Sequence, residues 1–222
     1  MKKLLIFFYL IVIYSLISCK KESTTAHGSY LTHLPEIKGI KYQVDTLRST
    51  IYWTGFKPSE KHTGTLKLKE GLFICNQNTI ALGRFYMNMN SITVTDLKDK
   101  KDKNKLENHL KGLADKNIKD HFFNISKYPI SDFRITHSEL KNNKTIIYGN
   151  LTIKGITKSV NFPAKININN DQISLKSDTL QLNRTYWNVN YGSKSIFDDL
   201  KDEFISDQIH IQVNLIAKKI KK

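Results

Sequence analysis

Period-two alternation of apolar and polar residues restricts this chain most, and it recurs from about Tyr42 to the end of the sequence. Successive side chains of a strand point to opposite faces, so alternation marks a sheet with one buried face. The cleanest run sets Ile209, Ile211, Val213, Leu215 and Ala217 between His210, Gln212, Asn214 and Ile216. Val160, Phe162, Ala164, Ile166 and Ile168 alternate likewise with Asn161, Lys165, Asn167 and Asn169. Turn signals separate such runs at Glu70-Gly71, Gln77-Asn78, Asn142-Asn143, Lys154-Gly155 and Asn169-Asn170-Asp171, at spacings that fit hairpins. No helical pattern stands between strands as a crossover, which rules against a parallel α/β sheet. About eight antiparallel strands in ~180 residues make an all-β closed barrel or sandwich.

One interval departs from the rhythm. Between Leu97 and Phe123 the chain is rich in Lys and Asp, then places Leu106 and Leu110 at i, i+4 spacing. That spacing predicts a short helical segment near 104–123 covering an apolar surface. The run Lys98 to Lys105 mixes charge signs and reads as a solvated loop. Phe122 and Phe123, adjacent aromatics in a polar stretch, must either plug the end of a barrel or face a ligand.

The N-terminus reads as an address. Lys2 and Lys3 precede an apolar run from Leu4 to Leu16, a signal-peptide pattern too short for a spanning helix of ~20 residues. Leu16-Ile17-Ser18-Cys19 resembles a bacterial lipobox, which implies cleavage after residue 18 and lipidation of Cys19. The expected organisation is then a signal peptide over 1–18, a lipidated polar tether over 19–40, a barrel domain over 41–218 and a basic tail over 219–222. The implied location is the bacterial cell envelope, with the membrane as a partner through Cys19. Cys75, within Leu72-Phe73-Ile74-Cys75, is the other thiol, so no internal disulfide forms in the mature chain. Its apolar neighbours favour a small buried side chain over a nucleophile.

Charge and chemistry narrow the function. The 35 Lys and Arg against 20 Asp and Glu leave +15, which first suggests nucleic acid. Yet only Arg48, Arg84, Arg134 and Arg184 are arginines, the residue that base reading favours, so nucleic acid is set aside. Seven histidines include no His-x-His or i, i+4 pair, and no metal site or cofactor is expected. His62, His109 and His121 would meet only if the loop near residue 110 folds over the early hairpin, and rim hydrogen bonding is the plainer role. Ser91 and Ser195 lack a nucleophile elbow, and no catalytic residue or phosphate-cradling loop is assigned.

Several segments, in order, resemble the YceI-like family of lipid-binding proteins. They are His62-Thr63-Gly64; Gly83 to Ile92; Leu106 to Leu110 with His109; Asp120-His121-Phe122-Phe123; Tyr128-Pro129 before Phe133; Gly149 to Val160; and Arg184 to Gly192 with Trp187. The resemblance spans about Tyr42 to Ala217 and implies an eight-stranded, lipocalin-like barrel that holds a polyisoprenoid or similar long-chain amphiphile. Glu107 and Asn108 stand where the family more usually has an aspartate before the His-Leu pair, which puts a role borrowed for those positions in doubt. On the strand Ala81 to Met89, one parity carries Ala81, Gly83, Phe85, Met87 and Met89, an apolar lining with room for irregular hydrocarbon. The expected ligand-binding residues are Trp53, Phe85, Met87, Met89, Ile92, Leu110, Phe122, Phe123 and Phe133 along the cavity. Arg184 and Trp187, with Tyr191 nearby, are expected at a mouth suited to a head group. Arg184 could equally pair with an acid such as Asp178. An eight-stranded barrel can also be filled by its own side chains, which would leave a structural or adhesive surface protein, and a lipid-modifying or metal-dependent enzyme could use the same scaffold. The oligomeric state is open, with a homodimer among the options.

Overall fold

Ten strands and one α-helix form among the described residues: β1 (Ile40–Val44), β2 (Thr50–Phe56), β3 (Lys61–Asn76), β4 (Thr79–Val94), α1 (Lys100–Lys111), β5 (Ile130–Lys141), β6 (Lys144–Ile153), β7 (Ile156–Ile168), β8 (Gln172–Ser177), β9 (Leu180–Asn183) and β10 (Gln208–Lys219). The structure is a computed structural model that describes residues 38–221 except 77, 78, 116, 118, 119 and 170. The signal segment, Cys19, the tether before residue 38 and the Gln77-Asn78 turn lie outside the described residues.

The hydrogen-bonded order β1-β10-β2-β3-β4-β5-β6-β7-β8 closes because β10 also pairs β8, every pairing being antiparallel. β1 and β2 share one position between β3 and β10: β1 pairs Leu72 to Cys75 of β3, and β2 pairs Lys61 to Leu66. β8 and β9 likewise follow one another along β10. The ring therefore runs through eight positions, the barrel that alternation and resemblance predict.

Two hairpin turns match their sequence signals. Asn142 and Asn143 both take positive φ, as do Lys154 and Gly155, which the tight turns favoured by twisted hairpins require. Glu70-Gly71 is different: it lies inside β3, at a register irregularity between Leu68 and Glu70 rather than at a turn. Further irregularities lie between Thr65 and Lys67 and between Ile74 and Cys75. An unpaired residue shifts the inward parity of a strand. Hence Ile80, not Ala81, joins Phe85 and Met87 in the main core, and Ile92 follows Met89 on the inner wall.

The helix is displaced from its expected place. It starts at Lys100, inside the charge run read as a loop, and ends at Lys111 rather than near Phe123. Asp99 explains the start, since its carboxylate accepts the backbone N–H of Lys101 and Asp102. Gly112, at φ 76°, ends it: its N–H donates to the His109 carbonyl and that of Leu113 to the Asn108 carbonyl. Glu107 accepts the Val94 backbone N–H at 2.9 Å, fastening α1 to the end of β4.

The β1 end of the barrel is solid. Tyr42, Phe73, Cys75, Ile173 and Ala217 are each at most 2% exposed there, and the Tyr42 hydroxyl donates to the Asn169 carbonyl. Cys75 is a small core side chain, and burial pushes its thiol up to about 11, far from thiolate chemistry at neutral pH. The opposite end carries α1, residues 120–129 and the long connection from β9 to β10. Lys154 ties these together: its buried ammonium contacts Asp120 at 2.8 Å and donates to the Asn188 carbonyl at 2.8 Å.

Candidate ligand-binding cavity

The inner wall is built from the inward parity of nearly every strand. β10 supplies Ile209, Ile211, Val213 and Leu215, the run whose alternation is cleanest, and β4 supplies Phe85, Met87, Met89 and Ile92. A cavity of about 940 Å³ lies among these side chains. That volume lies within the roughly 300–1,000 Å³ usual for ligand pockets. Its lining is mainly apolar, and charged residues occur at the end opposite β1: Lys57 and Glu60 in the β2–β3 hairpin, Asp102 and Lys105 on α1, Asp202 and Glu203 before β10.

Local packing explains why the bore stays open. At Gly64, paired with Trp53, an added Cβ would stand 2.1 Å from the Thr93 carbonyl oxygen and 2.2 Å from the Trp53 ring. The missing side chain lets the indole lie flat against the wall, where its Nε1 donates to the Thr65 carbonyl at 3.3 Å. Phe85 stands edge-on to Phe73 at 4.8 Å and stacks near Phe133 at 6.4 Å, an aromatic layer above the floor.

The sequence-predicted residues Trp53, Phe85, Met87, Met89, Ile92, Leu110, Phe122, Phe123, Phe133 and Arg184 all line this cavity. Phe122 and Phe123 cap the end of the barrel and face its interior at once. Trp187 does not line it. The indole is 2% exposed, packs with Phe122, Leu182 and Val189, and donates from Nε1 to the Leu151 carbonyl at 3.0 Å. A 3₁₀ turn over Arg184–Trp187, capped by Asn183 and ended by Asn188 at φ 58°, turns it behind the wall.

Arg184 is also placed differently from a mouth cation. It is 1% exposed, and its guanidinium donates to the carbonyls of Ser206, Val189 and Ile205. Its acid is Asp207, 3.7 Å away, whereas Asp178 pairs with Lys144. Tyr191 does line the opening and is 43% exposed.

Sequence reasoning left His109 at the rim and out of the ligand set, yet it is a cavity residue. Its Nδ1 lies 2.9 Å from Nε2 of His121, and both rings pack edge-on against Tyr191. Desolvation, with His121 beside it, holds His109 down to about 4, and burial lowers His121 as well, so both rings are neutral at pH 7. His62 is not part of this pair: it bonds Asp96 at 2.9 Å. Among the described residues no group of three or more His, Cys, Asp or Glu side chains is placed to hold a metal ion.

An antiparallel barrel with an apolar bore, solid at one end and capped by a helix and loops at the other, defines the class of lipocalin-like barrels. The YceI-like domain model matches residues 42–217, and the chain belongs to that family. Among solved structures it is similar to BcnA of Burkholderia cenocepacia, with 20% identity, 78% of this chain and 98% of that chain covered, and a TM-score of 0.60. It is also similar to a polyisoprenoid-binding domain from Saccharophagus degradans implicated in plant cell wall breakdown, with 10% identity, 82% and 99% coverage, and a TM-score of 0.57. These likenesses establish the fold. No curated protein sequence matches the chain.

Proposed function

We propose that this protein is a cell-envelope lipoprotein that holds a long-chain amphiphile, a polyisoprenoid or similar lipid, noncovalently inside its barrel for sequestration or transport. The observation that carries this reading is the apolar cavity of about 940 Å³, which a barrel filled by its own side chains would lack. Each methylene moved from water into that bore contributes about 0.8 kcal/mol, so a chain of many methylenes binds without any charged contact. The polyisoprenoid-binding domain of Saccharophagus degradans has the same fold, which supports the ligand class. The Leu16-Ile17-Ser18-Cys19 motif supports anchoring by lipid at Cys19, with the barrel at a membrane surface from which it could load. Cys75 is buried, and burial holds its thiol far from thiolate chemistry at neutral pH, so it offers the cavity no nucleophile.

Titration with N-phenylnaphthylamine, an uncharged fluorescent probe, tests the cavity. Uptake should saturate at one probe per chain, and Met87→Trp, which fills the bore, should weaken it tenfold or more. Equal uptake by the wild type and Met87→Trp would contradict a ligand site between these strands.

A further inference from the structure

The outer wall of the barrel carries a buried stripe. On β3, Phe73 and Cys75 belong to the core, so their neighbours Leu72 and Ile74 point outward. Leu82, opposite Ile74 on β4, shares that face. An outward side chain of a barrel ordinarily meets solvent, yet Leu72 is 6%, Ile74 1% and Leu82 7% exposed. They form an apolar cluster that no other apolar side chain among the described residues joins. Further towards the mouth, Tyr86, opposite Glu70, is also outward and buried. Between these residues the Nε of Arg84 is shut off from solvent.

The stripe is narrow. Its cross-strand neighbours on one side, Lys41 and Gln43 of β1, are exposed, and so is Arg134 of β5 on the other. Two strands spaced ~4.8 Å apart match the width of one extended chain, whereas a bilayer or a second barrel on this wall would cover the flanks too. These exposures are those of a single chain, so the cover belongs to the chain itself. A Cβ on Gly39, the residue before β1, would stand 2.7 Å from Cγ2 of Ile74 and 2.7 Å from Oδ1 of Asn76. The backbone that leads back to the N-terminus therefore starts against the first residue of the stripe. Residues 31–37 fall outside the described residues, and the sequence there sets Leu31, Leu34 and Ile37 three apart, with Pro35 among them. A three-residue repeat suits an extended polyproline-type chain, which puts every third side chain on one side and needs no internal hydrogen bonds. Six steps of ~3.1 Å span about 19 Å, enough to pass from Ile74 beyond the level of Tyr86, about 13 Å away along β3.

We propose that residues 31–37 form a strap along the outer wall of β3 and β4, with Leu31, Leu34 and Ile37 set against Leu72, Ile74, Leu82 and Tyr86. The strap runs from the solid end towards the mouth, because Ile74 lies near the end of β3 and the partner of Tyr86 nearer its middle. The residues before it, Lys20 to Tyr30, reach at most about 40 Å, against about 70 Å for the whole run from Cys19 to Gly39. Joined to the anchoring at Cys19 proposed above, on which this consequence rests, the strap brings the lipid out on the mouth side and turns the open end towards the bilayer. The strap itself does not depend on lipidation.

N-ethylmaleimide labelling of the full chain, read position by position by mass spectrometry, tests the strap. Leu82→Cys should label about tenfold more slowly than Arg134→Cys, although both lie on the same outer wall. Combining Leu82→Cys with Leu31→Asp, Leu34→Asp and Ile37→Asp should raise its rate about tenfold and leave that of Arg134→Cys unchanged. Cys75, buried in the core, is the internal check, since it stays unlabelled while the barrel is folded. A second measurement leaves the strap's charge unaltered: under mild oxidation Leu34→Cys should form a disulfide with Leu82→Cys and not with Lys165→Cys, across the barrel on β7. The proposal is overturned if Leu82→Cys labels as fast as Arg134→Cys, or if the aspartates leave its slow rate unchanged in a folded barrel. It is also overturned if Leu34→Cys pairs no better with Leu82→Cys than with Lys165→Cys. Cys19→Ala, which tests the anchor, should leave all these results in place, so loss of anchoring and loss of the strap are told apart.

Discussion

Acidification should destabilise this protein through two histidines before most carboxylates titrate. His109 is held down to about 4 by burial and by its neighbours His121, Lys57 and Arg184, against 6.5 when free. A group whose folded pKa is depressed stabilises the fold fully above its unfolded value, and that contribution is lost as pH falls towards the folded value. Below pH 6.5 the unfolded chain takes up protons that the native pair refuses, so stability falls between pH 6.5 and about 4. Each pH unit of displacement corresponds to about 1.4 kcal/mol, which puts the ceiling for His109 near 3.4 kcal/mol. Its ring is only partly enclosed, and discounting for solvent screening leaves about 1–2 kcal/mol. The carboxylates of Asp45, Glu60, Asp96 and Asp120 are also depressed, but they begin from 3.8 or 4.5 and act mostly below this window. Urea unfolding of wild type and His109→Phe at pH 7.5, 6.5, 5.5 and 4.5 measures the effect. The wild type should lose about 1–2 kcal/mol across the series relative to the variant. Parallel losses in both proteins would refute the assignment of acid sensitivity to this pair.

Gly64→Ala should cost about 1–3 kcal/mol, because the backbone Thr93 carbonyl cannot yield to a Cβ at 2.1 Å and Trp53 must move inward. Calorimetry should show a lower Tm, with reduced uptake of N-phenylnaphthylamine; an unchanged Tm would contradict the close approach. Asp120→Ala leaves the Lys154 ammonium, whose side chain is 2% exposed, without its acid, and should cost about 1–3 kcal/mol, more than Lys154→Met, which removes the buried charge itself. Equal losses by denaturant unfolding would argue against a buried, acid-dependent lysine. Cys19→Ala should move the protein from the membrane pellet to the soluble fraction, and undiminished retention in the pellet would exclude lipid anchoring at that residue.

The barrel was legible because burial on one face imposes period two, and β10 shows it without interruption from Ile209 to Ala217. Parity was less legible in β3 and β4, where irregularities turn Ile80 rather than Ala81 inward and let Ile92 follow Met89 on the inner wall. The helix was read too late in the chain because its first turns bury nothing, while its determinant was the Asp99 cap rather than the Leu106 and Leu110 spacing. Trp187 was misplaced because it sits in a 3₁₀ turn, where alternation gives no face. The His109–His121 contact joins the end of a helix to a loop and left no periodic trace, so only the folded chain reveals it.

Native mass spectrometry of the protein extracted in mild detergent tests the central claim most directly. The account predicts one lipid adduct per chain that is released on activation and identified as a long-chain amphiphile, and that is reduced in Met87→Trp. A wild-type chain recovered only at its bare mass, with no lipid in a solvent extract of the same sample, would contradict it.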